Sequence, residues 1–495
     1  MAQFTIGVDI GTTGTKTVLV DVSAGRIVAQ AARDTRLIAD RAGHAEADPG
    51  QWIDNAHSTI REVLAASGVS PADVGALATT GMVPAVVPVD AHGDPVRRAL
   101  LQNDARATAE IEMLRTTMDP ESALAATGSA ITQQSVAPTA MWLRRNESRQ
   151  WRDTARLVGS YDWVLMALGA DPHVELNWAI ESGLGTLDGS LYGPAFAAAE
   201  LSTDLVPHVL APGATAGALH PDAAAATGLP VGLPLVVGGA DHVLSAYAAG
   251  VNAPGDWLVK LGGAGDVLAA SDTPVVDARL YLDAHPVPGR WLPNGCMATS
   301  GSLIRWFQTL VGGVELTDLD DEAAGRGPAE LLCLPYFLGE KSPLHDPDLR
   351  GAFVGLDLVH TRADMYRAVL EAIAFGFKHH TEVFADIGVR LGPAMVTNGG
   401  SKSVLWKQIL ADVLDAPLWP VIGHPGASLG AALAAAVGVG MVDGWDDIGR
   451  FRTLGDPVQP EPTRAGRYAE AYGQWRELGD LLTPVSHRLA RKDKQ

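Results

Sequence analysis

The feature that most constrains the fold lies within the first twenty residues. Residues 6–8 are apolar or small and end at Asp9, a Gly/Thr-rich turn follows, and residues 17–21 form a second β-branched stretch. This pattern predicts a β-hairpin whose turn exposes backbone amides and small hydroxyls. Such a turn can wrap anionic oxygens, and Asp9 is placed to hold a cation or its waters beside them. An ordinary tight hairpin, whose glycines serve only the turn geometry, remains an alternative.

The turn resembles the first phosphate-binding segment of the sugar kinase/heat-shock chaperone/actin ATPase superfamily, in which Asp-x-Gly-Thr-(Thr/Ser) opens the nucleotide site. The matching residues here are Asp9, Gly11, Thr12 and Thr13. It is not a Walker loop, because no Gly-Lys-Ser/Thr follows at the required spacing. The resemblance implies ATP and Mg²⁺ as cofactors. Asp9 would be the metal-side carboxylate, and Gly11, Thr12, Thr13 and Lys16 would border phosphate oxygens, although Lys16 is equally well read as a solvated strand-edge lysine.

Charge and composition exclude several classes of partner. A net charge of −20 argues against nucleic acid or an anionic membrane as a partner. The two cysteines, Cys296 and Cys333, imply no disulfide framework and fit a reducing cytosol, so a cytoplasmic location is expected. The longest weakly polar run, residues 428–442, is shorter than the ~20 residues that cross a bilayer. No secretory signal precedes the first strand.

A strand that ends in a glycine-rich turn recurs along the chain. It is found at residues 235–241, 258–266 and 395–403. Turns of this kind in both halves indicate an internally duplicated α/β protein whose ligand lies between the halves. At 495 residues the chain exceeds the size of a single core of roughly 250–300 residues. We therefore predict two domains, 1–238 and 239–495.

The first half carries one strong helix signal. Asp48 followed by Pro49 is a good helix start, apolar residues then keep helical spacing, and Gly68 supplies the stop. A strand and a loop are predicted before this helix, over residues 28–48, and strands after it, over residues 74–80 and 85–89. The order of strand, strand, helix and strand resembles a ribonuclease-H-like half. The predicted fold class is accordingly α/β, with two ribonuclease-H-like (actin-like ATPase) domains and a ligand cleft between them.

A stretch near residue 350 makes the family resemblance specific. Residues 351–356 read Gly-Ala-Phe-Val-Gly-Leu, and seven residues later 364–371 read Asp-Met-Tyr-Arg-Ala-Val-Leu-Glu. This is similar to the signature of the FGGY carbohydrate kinases. Just upstream, 339–343 and 346–351 resemble that family's Gly-Glu-Arg-x-Pro and Asp-Pro-x-x-Arg-Gly segments. The likeness covers nearly the full length. It implies that the first domain supplies the sugar and phosphate/Mg²⁺ side, and the second the catalytic aspartate and the adenine side.

The resemblance also implies residues for the acceptor. Asp241 matches the catalytic aspartate that takes the proton from the attacking hydroxyl, although it could also simply cap the following helix. His242 beside it is an alternative base or a packing histidine. Asn103, Asp104 and Arg106 stand where these kinases carry a Trp-x-Asp-x-Arg-like sugar-binding stretch. The alternative for Asp104 is a helix cap.

Glycines in the second half are implied to hold the nucleotide. Gly262 and Gly263 would border the phosphates, while Gly399, Gly400 and Ser401 would let adenine and ribose lie flat against the backbone. Each of these, taken alone, could be an ordinary turn residue.

Two departures from the family pattern concern the acceptor and the phosphates. Xylulose kinases typically carry Gly-Gln-Met-His-Gly where this chain has Gly-Met-Val-Pro-Ala at residues 81–85, and Gln102 replaces the usual tryptophan. Met82 is therefore expected in an apolar wall of the substrate pocket. The family's Leu-Gly-Thr-Ser is Leu-Gly-Gly-Ala at residues 261–264, which removes a hydroxyl near the terminal phosphate.

The resemblance implies an ATP-dependent carbohydrate kinase, a phosphotransferase with an alcohol acceptor. The expected substrate is a small sugar, first a pentulose such as xylulose and next another ketose or a polyol. Two other functions stay open, a catalytically weak sugar- or nucleotide-sensing relative and an ATPase that acts on protein clients. The sequence leaves a homodimer open as the state of assembly.

Overall fold

The computed structural model describes residues 2–41, 43–424 and 426–492. The strands are β1 Phe4–Ile10, β2 Gly14–Asp21, β3 Arg26–Asp34, β4 Glu46–Ala47, β5 Val74–Gly81, β6 Val87–Val89, β7 Ala99–Leu100, β8 Arg156–Val158, β9 His173–Glu175, β10 His208–Leu210, β11 Thr215–Ala218, β12 Pro234–Ala240, β13 Trp257–Leu261, β14 Gly265–Ala269, β15 Tyr281–Ala284, β16 Trp291–Met297, β17 Leu332–Leu334, β18 Ala352–Val354, β19 Ala394–Thr397, β20 Leu418–Ile422 and β21 Thr453–Leu454. The helices are α1 Pro49–Ser67, α2 Thr108–Thr117, α3 Pro120–Thr127, α4 Val136–Asn146, α5 Ser148–Asp153, α6 Ser160–Leu168, α7 Leu176–Glu181, α8 Gly193–Ala199, α9 Pro221–Thr227, α10 Asp241–Ala249, α11 Gly301–Leu310, α12 Leu316–Ala324, α13 Arg362–Asp386, α14 Val404–Leu414, α15 Ala427–Gly438 and α16 Pro462–Lys492.

The first sheet confirms the predicted N-terminal hairpin. Among the described residues it has six strands in the order β11-β12-β5-β1-β2-β3. Strands β1 and β2 are antiparallel, whereas β5 pairs with β1, and β12 with β5, in parallel. The carboxyl ends of β1, β5 and β12 therefore meet at one edge of the sheet.

The second sheet repeats this frame. Its order in the described part of the chain is β15-β16-β14-β13-β19-β20-β21. Here β13 and β14 form the antiparallel hairpin, and β19 and β20 follow in parallel, as β5 and β12 do in the first sheet. The predicted duplicated α/β architecture is confirmed.

Local signals set the bounds of helix α1. The Asp48 side chain accepts a hydrogen bond from the amide of Gly50 at 3.0 Å, and Pro49 opens the helix. Gly68 ends it in the left-handed conformation with φ of 67°. Between them Trp52 and Ile60, on the apolar face, are fully buried. Sequence and structure agree here because each signal acts within one helical turn of its target.

Helix α15 joins the two halves, because it packs on strands of the first sheet although it follows the second. The contact is so close that a Cβ on Gly7 would lie 1.9 Å from the carbonyl oxygen of Ser428. The predicted division at Gly238 falls inside β12, a strand of the first sheet, and the division itself stays a prediction. Within the described ranges no helix combines the length and the apolarity that crossing a bilayer requires.

Candidate active site

The parallel strands of the first sheet bring three segments together at their carboxyl ends. Ile10 of β1 pairs with Gly81 of β5, which in turn pairs with Ala240 of β12. The amide of Met82 donates to the carbonyl of Ile10 at 3.2 Å. Residues far apart in sequence thereby converge, namely Asp9, Met82 and Asp241, as expected for a ligand site at this edge.

A cavity of about 210 Å³ opens beside Asp241. Its first-half wall includes Met82, Val83, Gln102, Gln134 and Glu181, and its second-half wall includes Asp241, His242, Lys260, Asp266, Leu268, Tyr281, Asp283, Asn294, Cys296 and Lys341. The cavity therefore lies between the halves. Met82 and Val83 make one part of the cavity wall apolar, whereas the other lining residues are mainly polar. The role of Met82 in substrate binding stays a prediction.

Asp241 lies in the first turn of α10, next to His242. Nδ1 of His242 is 3.6 Å from Oδ1 of Asp241, and its Nε2 lies 2.8 Å from Oδ2 of Asp283. Burial by itself would raise the pKa of Asp241, but His242 and the charge of Lys260 lower it below its usual range. The pKa of His242 is raised well above its usual value, since Asp283, Asp241 and Glu181 outweigh burial. Asp241 is thus held as a carboxylate that faces the cavity.

Asp9 sits at the end of β1 within electrostatic range of Asp241. Burial and the charge of Asp241 raise the pKa of Asp9 to about 7, although Lys16 and Lys260 act in the opposite direction. Its Oδ1 is buried without a donor from the described part of the chain. A buried carboxylate oxygen without a described donor, within electrostatic range of a second carboxylate, suits a hard cation such as Mg²⁺. The residues present fit a metal here.

Two lysines reach this region from opposite hairpins. Lys16 is the cross-strand partner of Asp9 in the first hairpin. In the second hairpin Lys260 is the partner of Asp266, and its Nζ lies 3.4 Å from Oδ2 of Asp266. Burial would lower the pKa of Lys260, but Asp266 and Asp241 raise it above its usual value, so it stays charged. Lys260 was not among the predicted site residues.

The first glycine-rich turn lies against the cavity beside Asp241, which is the predicted acceptor cavity. The amide of Gly11 donates to the carbonyl of Gly14 at 2.9 Å, which closes the turn. The hydroxyl of Thr12 lies 3.7 Å from the sulfur of Met82, and Thr13 is exposed at the tip. The predicted phosphate turn is therefore next to the predicted acceptor pocket.

The glycine-rich turns within residues 258–266 and 395–403 lie side by side. A Cβ on Gly262 would be 3.5 Å from Nδ2 of Asn398, whereas Cβ atoms on Gly263 and Gly399 would meet nothing within 4 Å. Gly400 is different, because a Cβ there would lie 2.2 Å from the ring of Trp406. Gly263 and Gly399 thus leave open space for a ligand, and Gly400 is required by packing.

The residues that follow Gly399 also border a larger cavity. The hydroxyl of Ser401 donates to the carbonyl of Asn398 at 2.7 Å, within its own turn. Lys402, Ser403 and Val404 line a cavity of about 510 Å³ together with residues of α12 and α14. This cavity has room for a nucleoside.

The predicted sugar-binding stretch splits into two environments. Gln102 lines the acceptor cavity, and its Oε1 is buried without a described donor. Asn103 is exposed. Arg106 donates to Asp104 at 2.8 and 2.7 Å and to Glu46 at 2.7 Å, with its side chain 2% exposed. In the described residues, the lining of the cavity includes Gln102 but not Asn103, Asp104 or Arg106, so the role of the last three in sugar binding stays a prediction.

The segment that carries the family signature begins helix α13 and holds a buried polar network. Thr361 and Asp364 form a capping box at the start of α13. Within α13 the buried Arg367 donates to Glu371 at 2.9 Å and to the hydroxyl of Tyr468 at 2.8 Å. Replacing one member would leave a buried charge unpaired. This network ties α13 to α16, and Arg367 also lines the 510 Å³ cavity, whereas none of the three residues lines the cavity beside Asp241.

Sequence reasoning missed Glu181, Lys260 and Asp283. They come from α7, β13 and β15 and meet only in the folded chain. Lys260 had a detectable signal, since it precedes the Gly262 turn at the position that Asp9 occupies before the first turn. For Glu181 and Asp283 no motif surrounds the residue.

Comparison with known proteins shows the family of the chain. Family models for the FGGY family of carbohydrate kinases match residues 4–248 with the N-terminal domain and residues 259–439 with the C-terminal domain. The chain is 26% identical over 494 residues to a xylulose kinase of Bacillus subtilis (strain 168), with 97% of this chain and 99% of the relative covered. The crystal structure of a xylulose kinase from Rhodospirillum rubrum is 41% identical, covers 98% of this chain and 100% of its own, and superposes with a TM-score of 0.92. A glycerol kinase of Plasmodium falciparum solved with ADP shares the fold, with a TM-score of 0.87 at 16% identity and coverage of 96% and 98%.

Proposed function

The chain belongs to the FGGY family of carbohydrate kinases, and we propose that its acceptor is a pentulose such as xylulose. As a member of this family it is an ATP-dependent sugar kinase. The observation that carries the proposal is the position of Asp241, between the acceptor cavity and the Asp9 turn. The xylulose kinases at 41% and 26% identity support a pentulose, with another ketose or a polyol as the alternative.

Asp241 is proposed as the general base. Its carboxylate takes the proton of the attacking sugar hydroxyl, and the fold keeps that carboxylate ionised through His242 and Lys260. The cavity walls from the two halves hold the acceptor next to the phosphate turn, so the hydroxyl rather than water is presented to the phosphoryl group.

Phosphate binding is assigned to groups on both hairpins. Amides and hydroxyls of Gly11, Thr12 and Thr13 would surround the phosphates from one side, with Lys16 beside them. Asp9 would hold Mg²⁺, which when bound neutralises charge on the phosphates. Because its unpartnered oxygen is buried at the end of β1, this carboxylate is fixed where a cation is needed.

On the other side, Lys260 would neutralise the transferring phosphoryl group. The turn that follows it contains Gly262 and Gly263 and offers only backbone amides. Gly399, Gly400 and Ser401 would then border the ribose, and the 510 Å³ cavity beside them would accept adenine. The open space at Gly263 and Gly399 supports this placement.

The test is ADP release with MgATP across pentuloses, hexuloses and polyols, for the wild type and Asp241→Asn. We expect one pentulose to stimulate turnover strongly, and the variant to lose about 10²- to 10⁴-fold in kcat while it still binds the sugar. Asp222→Asn is a matched control, because Asp222 is also a first-turn aspartate of a helix, α9, but lies away from the cavity. Equal losses in both variants would assign Asp241 to helix capping alone.

The same assay separates the other functions. Sugar and ATP binding without turnover by the wild type would indicate a sensor, and stimulation by peptides but by no sugar would indicate an ATPase with protein clients. The unpaired thiols of Cys296 and Cys333 support a cytoplasmic location. The expected exclusion of nucleic acid and membranes, and a homodimer, remain predictions.

A further inference from the structure

Three side chains from three separate elements form a polar cluster on the wall of the acceptor cavity. Glu181 ends α7, His242 lies in the first turn of α10, and Asp283 lies in β15. Nε2 of His242 is 2.8 Å from Oδ2 of Asp283 and 3.7 Å from Oε1 of Glu181. Asn294 donates to Oδ2 of Asp283 at 2.7 Å. The cluster joins both halves beside the base.

The unpartnered polar atoms of the cluster are carboxyl oxygens, and burial together with the charge of Asp283 raises the pKa of Glu181 well above its usual value, so that the Glu181 carboxyl can also donate. Oδ1 of Asp283 and Oε1 of Glu181 are buried without a described donor, and so is Oε1 of Gln102 on the same cavity. The Asp283 side chain is only 1% exposed, and that of Glu181 is 16% exposed. Buried acceptors without donors are unfavourable, so a ligand rich in O–H groups would complete this wall.

The opposite wall has the complementary character. Met82 and Val83 are buried apolar residues that face the same space. A sugar chain has a hydroxyl edge and a C–H edge, and the cavity matches both. A clamp of two hydrogen bonds between the Asn177 side chain and the Ala284 backbone fixes the polar wall. Nδ2 of Asn177 donates to the carbonyl of Ala284 at 2.9 Å, and the amide of Ala284 donates to Oδ1 of Asn177 at 2.7 Å.

The charges of the cluster disfavour anionic ligands. The carboxyl groups of Glu181, Asp241 and Asp283 surround the single imidazole of His242. Lys260 is paired with Asp266, whereas Lys341, whose Nζ lies 3.9 Å from the sulfur of Cys296, is a further cation of the cavity wall. A ligand carboxylate bound against the cluster itself would meet Asp283 and Asp241, which are like charges at low dielectric.

We propose that Glu181 and Asp283 bind the hydroxyl edge of the acceptor and restrict it to uncharged polyhydroxy compounds, excluding sugar acids. This inference rests on the proposed function, because it names the acceptor class for the same cavity. Glu181 is the more exposed member and makes the direct contact. Asp283 positions both Glu181 and His242.

The test compares Glu181→Gln and Asp283→Asn with Glu175→Gln, using xylulose as the neutral acceptor and gluconate as the sugar acid. Glu175 is the matched control, because it is a buried carboxyl beside the same helix that accepts from Tyr161 at 2.9 Å and does not line the cavity. It also accepts from Nδ2 of Asn177 at 3.3 Å, and the side-chain oxygen of Gln keeps an acceptor for that bond. We expect each cluster variant to raise KM for xylulose by about 10-fold or more with KM for MgATP unchanged. The preference for xylulose over gluconate should shrink in both, and Glu175→Gln should leave these values as in the wild type.

Several outcomes would overturn the inference. An unchanged KM for xylulose in both variants would do so, as would the same change in Glu175→Gln. A requirement for Mn²⁺ or Zn²⁺ beyond MgATP, lost in both variants, would assign the cluster to a cation instead.

Melting temperature and ADP binding are measured first, and Glu181→Asp replaces a variant that does not fold. If the wild type phosphorylates no sugar, the proposed function fails. Calorimetric titration of the ADP-bound protein with xylulose and gluconate then still decides whether the cavity prefers the neutral compound.

Discussion

The two hairpins at the centre of the two sheets share a backbone plan but carry their charges in opposite order. In the first, Asp9 precedes the turn and pairs across the strands with Lys16. In the second, Lys260 precedes the turn and pairs with Asp266. Each hairpin thus holds one acid and one lysine next to its glycine-rich turn, with the acid on the first strand in one half and on the second strand in the other.

The turns of the two hairpins also differ in the polar groups that they offer. The first offers the hydroxyls of Thr12 and Thr13, whereas Gly263 and Ala264 of the second offer only amides. The two hairpins can therefore offer different groups to one anionic ligand. On the proposed assignment, the first hairpin would approach the phosphates through a metal-side carboxylate and hydroxyls, and the second through a lysine and backbone amides. The two hairpins have the same backbone pairing, so the lysine before the second turn is a difference in sequence and not in fold.

The largest expected effect comes from removing the carboxylate of the first hairpin. Asp9→Asn should lower kcat by about 10³-fold, equivalent to about 4 kcal/mol, because the proposed metal ligand is lost. Mg²⁺ titrations of activity and of ADP binding check this. Asp21→Asn is the control, since Asp21 ends the other strand of the same hairpin and accepts from the hydroxyl of Ser23 at 2.8 Å. Activity within ten-fold of the wild type in Asp9→Asn would contradict a metal role for the first hairpin.

The next effect tests the lysine of the second hairpin. Lys260→Met should lower kcat by about 10²-fold with little change in KM for MgATP, because charge stabilisation is lost mainly in the transition state. Lys260→Arg should recover part of the loss, and Lys16→Met shows whether the two hairpins contribute equally. Lys378→Met, which removes a lysine that lies over the ring of Tyr472, is the control. A kcat of Lys260→Met within threefold of the wild-type value would show that the second hairpin contributes to turnover only through its backbone.

The hairpins and helix α1 were predictable because their signals are local. The β-branched stretches, the Gly/Thr turn and the Asp48-Pro49 start each act over a few residues. The repeat of the strand-to-glycine pattern also indicated duplication, which the two sheets confirm. Short-range sequence rules thus sufficed for the frame of each half.

The position of α15 and the polar wall of the cavity depend on long-range packing and could not be predicted from the sequence. Helix α15 was visible only as an Ala/Gly-rich run, and nothing in that run indicates that it would cover the first sheet against Gly7. Glu181 and Asp283 lie about a hundred residues apart, and their closeness depends on the clamp between α7 and β15. The polar wall of the cavity follows from that tertiary contact, whereas the expectation drawn from Met82 alone concerned the apolar wall.

The smallest expected effect is a gain in the second hairpin. Gly263→Thr restores the hydroxyl that related kinases are expected to carry, and a Cβ there would meet nothing within 4 Å. The carbonyl of Gly263 accepts from the amides of Ser300 and Ser302 at 2.9 and 3.0 Å, and a side chain leaves both bonds in place. One added hydrogen bond of about 0.5–1 kcal/mol should lower KM for MgATP about two- to five-fold, with the melting temperature unchanged. Gly262→Thr is the opposing control, since its Cβ would already lie 3.2 Å from the carbonyl oxygen of Ala264. If Gly263→Thr raises KM instead, the phosphates approach this turn too closely for any side chain. The second hairpin would then bind through backbone and Lys260 alone, which would make the contrast between the two hairpins complete.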